Sequence, residues 1–171
     1  MFKVIGIDPG LAATGIGLVS GKGLTIQNYS YGCIHTTTRV ALPLRLREIY
    51  SKLQIILSTE KPDMMVVEDV FSLDKFPRSG IVLGKVSGIV LLAGAIHNIP
   101  ILEIPVREAK QVLTGNGKAS KSQLEKSVRS HLSLSSVIKP NHASDALGLA
   151  MIGLFRYQGA QPVEYFSPGT K

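Results

Sequence analysis

The sequence predicts a single mixed α/β domain: a five-stranded sheet, its first three strands antiparallel, flanked by helices. Three observations carry this. Short apolar runs open the chain in quick succession, joined by glycine-containing turns. From Pro43 onward, segments of helical period alternate with further short apolar runs. The 171 residues, 44% hydrophobic and 18% charged, suit one compact domain with a real core and exclude a disordered chain.

Taken in order, Lys3 to Ile7 is a buried strand running into the turn Asp8-Pro9-Gly10. Thr14 to Ser20, a turn at Gly21-Lys22-Gly23, and Leu24 to Ile34 read as a hairpin that continues the sheet. Pro43 opens a helix with Leu44, Leu46, Ile49, Leu53, Ile56 and Leu57 on its apolar face, stopped before Lys61-Pro62. Met64 to Val67 is a fourth strand, ending at Glu68. An apolar helix dotted with glycine covers Ser79 to Asn98, and Ile101 to Ile104 is the fifth strand. Two basic helices follow, Val106 to Leu113 and Ser120 to Leu132, around the turn Gly115-Asn116-Gly117. The last helix runs from Asn141 to Tyr157. The domain is expected to span residues 1–158, with 159–171 an irregular tail.

Nineteen Lys and Arg against twelve Asp and Glu leave a net charge of +7, which attracts polyanions such as DNA or RNA. Between Pro105 and Pro140 seven of these cations face only two acids, so the excess is concentrated as on a docking surface. Cys33 is the one cysteine, which excludes an intrachain disulfide, and it reads as a small buried apolar residue. The N-terminus meets Asp8 too early for a signal peptide, and Ile81 to Ile96 is too short to span a membrane and carries Lys85. A cytoplasmic protein without membrane attachment is expected.

Three acids stand where a site can form. Asp8 ends the first strand, Glu68 ends the run MMVV, and Asp145 follows His142 by three residues on one helical face. Open α/β sheets bind ligands beside strand ends, so a helix packed over neighbouring strands would unite all four. Clustered carboxylates repel one another unless cations neutralise them, and hard oxygen donors suit Mg²⁺ or Mn²⁺. Two such ions can clamp a phosphodiester displacement. Each residue also has a plainer explanation: a turn at Asp8, a strand exit at Glu68, a helix start or core position at His142. Spacing alone leaves these open.

Six blocks then fall in a recognisable order: GIDPGLAATGIGLV (Gly6 to Val19), GCIHT (Gly32 to Thr36), PLRLREIY (Pro43 to Tyr50), KPDMMVVEDVF (Lys61 to Phe71), VREAKQVLTGNGKASKSQLEKSVRSHLSL (Val106 to Leu134) and HASDALGLA (His142 to Ala150). Over about 155 residues the chain resembles the RuvC-type Holliday-junction resolvases. The resemblance implies a ribonuclease-H-like fold, a homodimer, a branch-migration helicase as partner, and metal-dependent paired nicks across a four-way junction in recombination and repair. It implies Asp8, Glu68, His142 and Asp145 as catalytic, metal-binding residues for two Mg²⁺ ions, with Mn²⁺ able to substitute. Because imidazole suits Mn²⁺ better than Mg²⁺, His142 is expected to favour Mn²⁺. By the same resemblance Phe71 stacks on an unpaired base near the junction centre, unless it is a core phenylalanine. Lys110, Lys118 and Lys121 contact DNA, with Lys118 the most easily explained as plain surface charge. Gly80, Gly84 and Gly88 recur on one helical face at about 1 kcal/mol each. Their helix is the dimer contact in the family; packing on the chain's own sheet is the alternative.

Two departures touch junction contacts: Ser87 replaces a usual Arg, and the loop Ser72 to Ser79 contains Pro77. Three other functions share parts of this pattern. Sugar kinases and Hsp70-type ATPases share a Gly-x-Asp-x-Gly turn but need a second nucleotide-binding half. A ribosomal-RNA maturation nuclease lacks the HASDALGLA helix and basic segment. A binder that has lost the cut would lack a carboxylate that this chain retains.

Overall fold

A computed structural model describes residues 1–69 and 77–156 of the chain. Phe71, most of the loop Ser72 to Ser79 and the tail expected at 159–171 lie outside the described residues. Five strands, β1 (Phe2–Asp8), β2 (Ala13–Lys22), β3 (Thr25–His35), β4 (Met64–Asp69) and β5 (Ile101–Pro105), form one sheet in the order β3-β2-β1-β4-β5. β1, β2 and β3 pair antiparallel, while β4 and β5 run parallel to β1. The hairpin turn falls at Gly23 and Leu24 rather than at Gly21 to Gly23, because Gly21 and Lys22 still pair across to β3 through a bulge. Gly23 supplies the positive φ that such a turn needs.

Helices cover both faces, which is why β1 and β4 read as continuous apolar runs. On one face, Ile5, Ile7, Met65 and Val67 pack under α1 (Leu42–Glu60) and α2 (Pro77–Ile96). On the other, Val4, Val66 and Ile104 pack under α3 (Val106–Thr114), α4 (Lys121–His131) and α5 (Asn141–Arg156). Strand alternation therefore sends Asp8, in step with Val4 and Gly6, and Glu68, in step with Val66, to the α5 side.

The expected apolar face of α1 needs correction. Its buried residues are Arg45, Ile49, Leu53 and Leu57, every fourth position, while Leu44 is exposed. The helix α2 also starts earlier than expected. From Arg78 to Ile96 it is long and apolar enough, by length and composition, to cross a bilayer, so the expectation that this stretch is too short does not hold. Val86, Val90 and Ala93 bury one side of it in the core.

The fit of α5 is decided by three glycines. A Cβ at Gly6 would strike the carbonyl oxygen of Ala146, one at Gly15 that of His142, and one at Gly17 the amide of Leu147. Helix backbone thus rests directly on strand backbone, which only glycine permits.

Candidate active site

Register places the site. Asp8 pairs with Gly15 on β2, and Gly15 is the glycine against which the His142 backbone sits. The first turn of α5 is thereby fixed over the end of β1. On the other side, Ile7 pairs with Val67, so Glu68 follows beside Asp8. Asp145 comes one helical turn after His142. A capping box at Ser120, whose hydroxyl accepts from the Gln123 amide, starts α4 and delivers Lys121 to the same place.

The side chains of these elements come together at one end of the sheet. His142 Nδ1–H donates to Asp8 Oδ2 at 2.7 Å, and Lys121 Nζ donates to Asp145 Oδ2 at 3.3 Å. Asp8 and Glu68 share a side-chain hydrogen bond. Asp8 is buried, and the Asp145 carboxyl is only 13% exposed.

Such crowding has a clear electrostatic consequence. Burial, then the Asp8 charge and hydrogen bond, then Asp145, push the Glu68 carboxyl from an ordinary 4.5 up to about 8, with Lys121 pulling the other way. Near neutral pH Glu68 therefore keeps its proton and donates it to Asp8. Asp8 is also raised, first by burial and then by Asp145, against the opposing effect of His142. Lys121 loses some hydration, yet Asp145, Asp8 and Glu68 hold its ammonium above the usual lysine range. Cys33 corrects the expectation of a buried apolar residue: it is half-buried, pairs opposite Gly15, and its thiol is raised by burial and by the charge of Asp8.

Among the described residues no three carboxylate, imidazole or thiol groups already surround one point at coordinating range. Asp8 is engaged by His142 and Glu68, and Asp145 by Lys121. The donor set nonetheless fits a hard divalent cation: three crowded carboxyls, of which Asp8 and Glu68 are raised by burial and by their neighbours, with one imidazole whose Nε2 is left to coordinate. A proton on Glu68 and the ammonium of Lys121 do part of the balancing that a cation would do.

The remaining candidates separate. Lys118 is exposed and Lys110 half-buried. Gly84 and Gly88 have open space where a Cβ would go, which excludes packing on their own sheet; Gly94 is the α2 glycine that meets the core, at Ile101 and Met65. Exposed Ile81, Leu92 and Ile96 lie along the same helix, with Gly80 half-buried. Ser87, which stands where the family usually has Arg, is buried in this chain. Arg45 and Thr36, which tie down the turn after Asp8, were missed by the sequence reading. The available signal was a charged residue standing four places before Ile49 in an apolar stripe.

The family model described as crossover junction endodeoxyribonuclease RuvC matches residues 4–153. The chain is 39% identical over 148 residues to a crossover junction endodeoxyribonuclease RuvC of Desulforamulus reducens, covering 86% of this chain and 90% of that one. It is 40% identical over 159 residues to one from Carboxydothermus hydrogenoformans, covering 92% and 98%. Among solved structures, T. thermophilus RuvC in complex with a Holliday junction substrate superposes with a TM-score of 0.84 at 27% identity, over 93% of this chain and 96% of that one.

Proposed function

Since the chain belongs to the RuvC family of crossover junction endodeoxyribonucleases, we propose that it resolves four-way DNA junctions by paired, metal-dependent phosphodiester hydrolysis in recombination and repair. The observation that carries this is the convergence of Asp8, Glu68, His142 and Asp145, drawn from β1, β4 and α5, into one buried acidic pit on a basic protein.

Those four residues would hold two Mg²⁺ ions, for which Mn²⁺ would substitute. When bound, the ions supply the positive charge that activates water and steadies the leaving oxygen. The chain's own groups do the rest. To hold the ions, Glu68 would release its proton to solvent and Asp145 its bond to Lys121. Lys121, released from Asp145, stands at the rim to offset charge gathering on the phosphate. Lys110 and Lys118 hold neighbouring phosphates, and Phe71 stacks on a base at the crossover. The open face of α2 around Gly80, Gly84 and Gly88 meets a second copy, so two sites cut two strands. A branch-migration helicase delivers the junction, in the cytoplasm.

A synthetic four-way junction tests the reading. With Mg²⁺ or Mn²⁺, symmetric nicks near the crossover are expected, and none in chelator. Asp8→Asn is expected to bind the junction without cutting it. Binding without cleavage by the unaltered protein under all metal conditions would make it a junction-binding protein instead.

A further inference from the structure

Arg45 is 8% exposed at the head of the buried stripe of α1, and among the described residues no carboxylate pairs with it. A cation is costly in that position, and an aliphatic side chain would continue the stripe of Ile49, Leu53 and Leu57. Its hydrogen bonds show where it is used. Nε donates to Thr36 Oγ1 at 2.8 Å, and Nη2 donates to the Leu11 carbonyl at 3.2 Å. The Thr36 hydroxyl donates to the same Leu11 carbonyl at 2.5 Å, and the Thr36 amide to Ala12 O at 3.1 Å. Thr14 Oγ1 donates to Gly10 O at 2.8 Å. Three successive carbonyls of the turn are therefore held by side chains or backbone from beyond it.

This turn starts at the residue after Asp8. It also abuts the other half of the pair, since a Cβ at Gly10 would lie 3.9 Å from His142 Cε1. We propose that Arg45 and Thr36 are positioning residues: by clamping the Leu11 carbonyl they hold the Asp8 turn against His142, and so set the geometry of the Asp8–His142 pair for cleavage. The inference rests on the nuclease reading above.

Replacing Arg45 with methionine separates positioning from scaffolding. The Leu11 carbonyl keeps its bond from Thr36, so nothing buried is orphaned, and an apolar side chain suits the stripe. Arg45→Met is expected to melt within a few degrees of the parent and to bind the junction within about twofold. Its single-turnover cleavage at saturating metal should fall at least about tenfold, as misplaced reacting groups do. In the metal-free protein the imidazole resonances of His142 should shift. Thr36→Ser is expected to cleave like the parent and Thr36→Val to lose rate, which carries the test should Arg45→Met fold poorly. Unchanged cleavage in both Arg45→Met and Thr36→Val would overturn the proposal. So would a loss of rate matched by loss of binding, which would make Arg45 a DNA contact. Failure of the parent to cut a junction would instead overturn the nuclease reading.

Discussion

Removing the charge of Glu68 should make the metal-free protein more stable while abolishing its chemistry. The carboxyl binds its proton more tightly in the folded state, at about 8, than at its ordinary 4.5. Between those values the folded protein holds more protons than the unfolded chain, so stability falls as pH rises through that window. At about 1.4 kcal/mol for each tenfold in proton affinity, the ceiling is about 5 kcal/mol by pH 8. Asp8, whose titration is tied to that of Glu68, adjusts its own protonation in response, which reduces the realised effect to about 2 kcal/mol. Glu68→Gln keeps the side chain's shape and has no charge to bury. Urea unfolding in chelator should therefore show a gain of about 2 kcal/mol for Glu68→Gln at pH 8 that fades towards pH 5. Saturating Mg²⁺ should shrink the difference by stabilising the parent alone. A gain independent of pH, or a loss at pH 8, would refute the claim that like charges crowd this pit.

Gly15→Ala puts a methyl group into the His142 carbonyl and should cost about 3 kcal/mol or prevent folding, read from the denaturant midpoint. His142→Asp replaces a nitrogen donor with an oxygen, so the ratio of cleavage rates in Mn²⁺ and Mg²⁺ should move towards Mg²⁺; an unchanged ratio would remove His142 from the metal. Lys121→Met should leave junction affinity within about threefold while cleavage falls by about a hundredfold or more, measured in single turnover. Gly88→Arg places a charge on the open face of α2 and should yield a folded monomer in sedimentation, with junction cleavage reduced to unpaired nicks.

The parts legible in the sequence were those where one physical requirement dominates a stretch of chain. Five strands and five helices followed from apolar period, and the Asp8-Pro9-Gly10 and Lys61-Pro62 breaks marked real ends. Asp8, Glu68 and Asp145 stood out because charge after an apolar strand, or on an apolar helix, is costly enough to need a reason, while His142 and the metal-site role of all four came from the family resemblance. What stayed hidden depended on contacts between distant segments. Period alone assigned Leu44 to the core of α1, and only the fold shows Arg45 turned inward to Leu11 and Thr36. Glycine spacing flagged Gly84 and Gly88, but whether that face met the sheet or open space required the neighbouring strands. Cys33 looked like ordinary core because its position opposite Gly15, and so near Asp8, is a matter of register.

The pit gathers its acids from the first strand and from α5, 137 positions later in the chain. A ribosome therefore exposes Asp8 long before Asp145 exists, and the half-made protein has no complete set of donors. At Gly6, Gly15 and Gly17 the α5 backbone rests directly on strand backbone. On the proposed reading, the donor set is complete only once that helix is seated on the sheet.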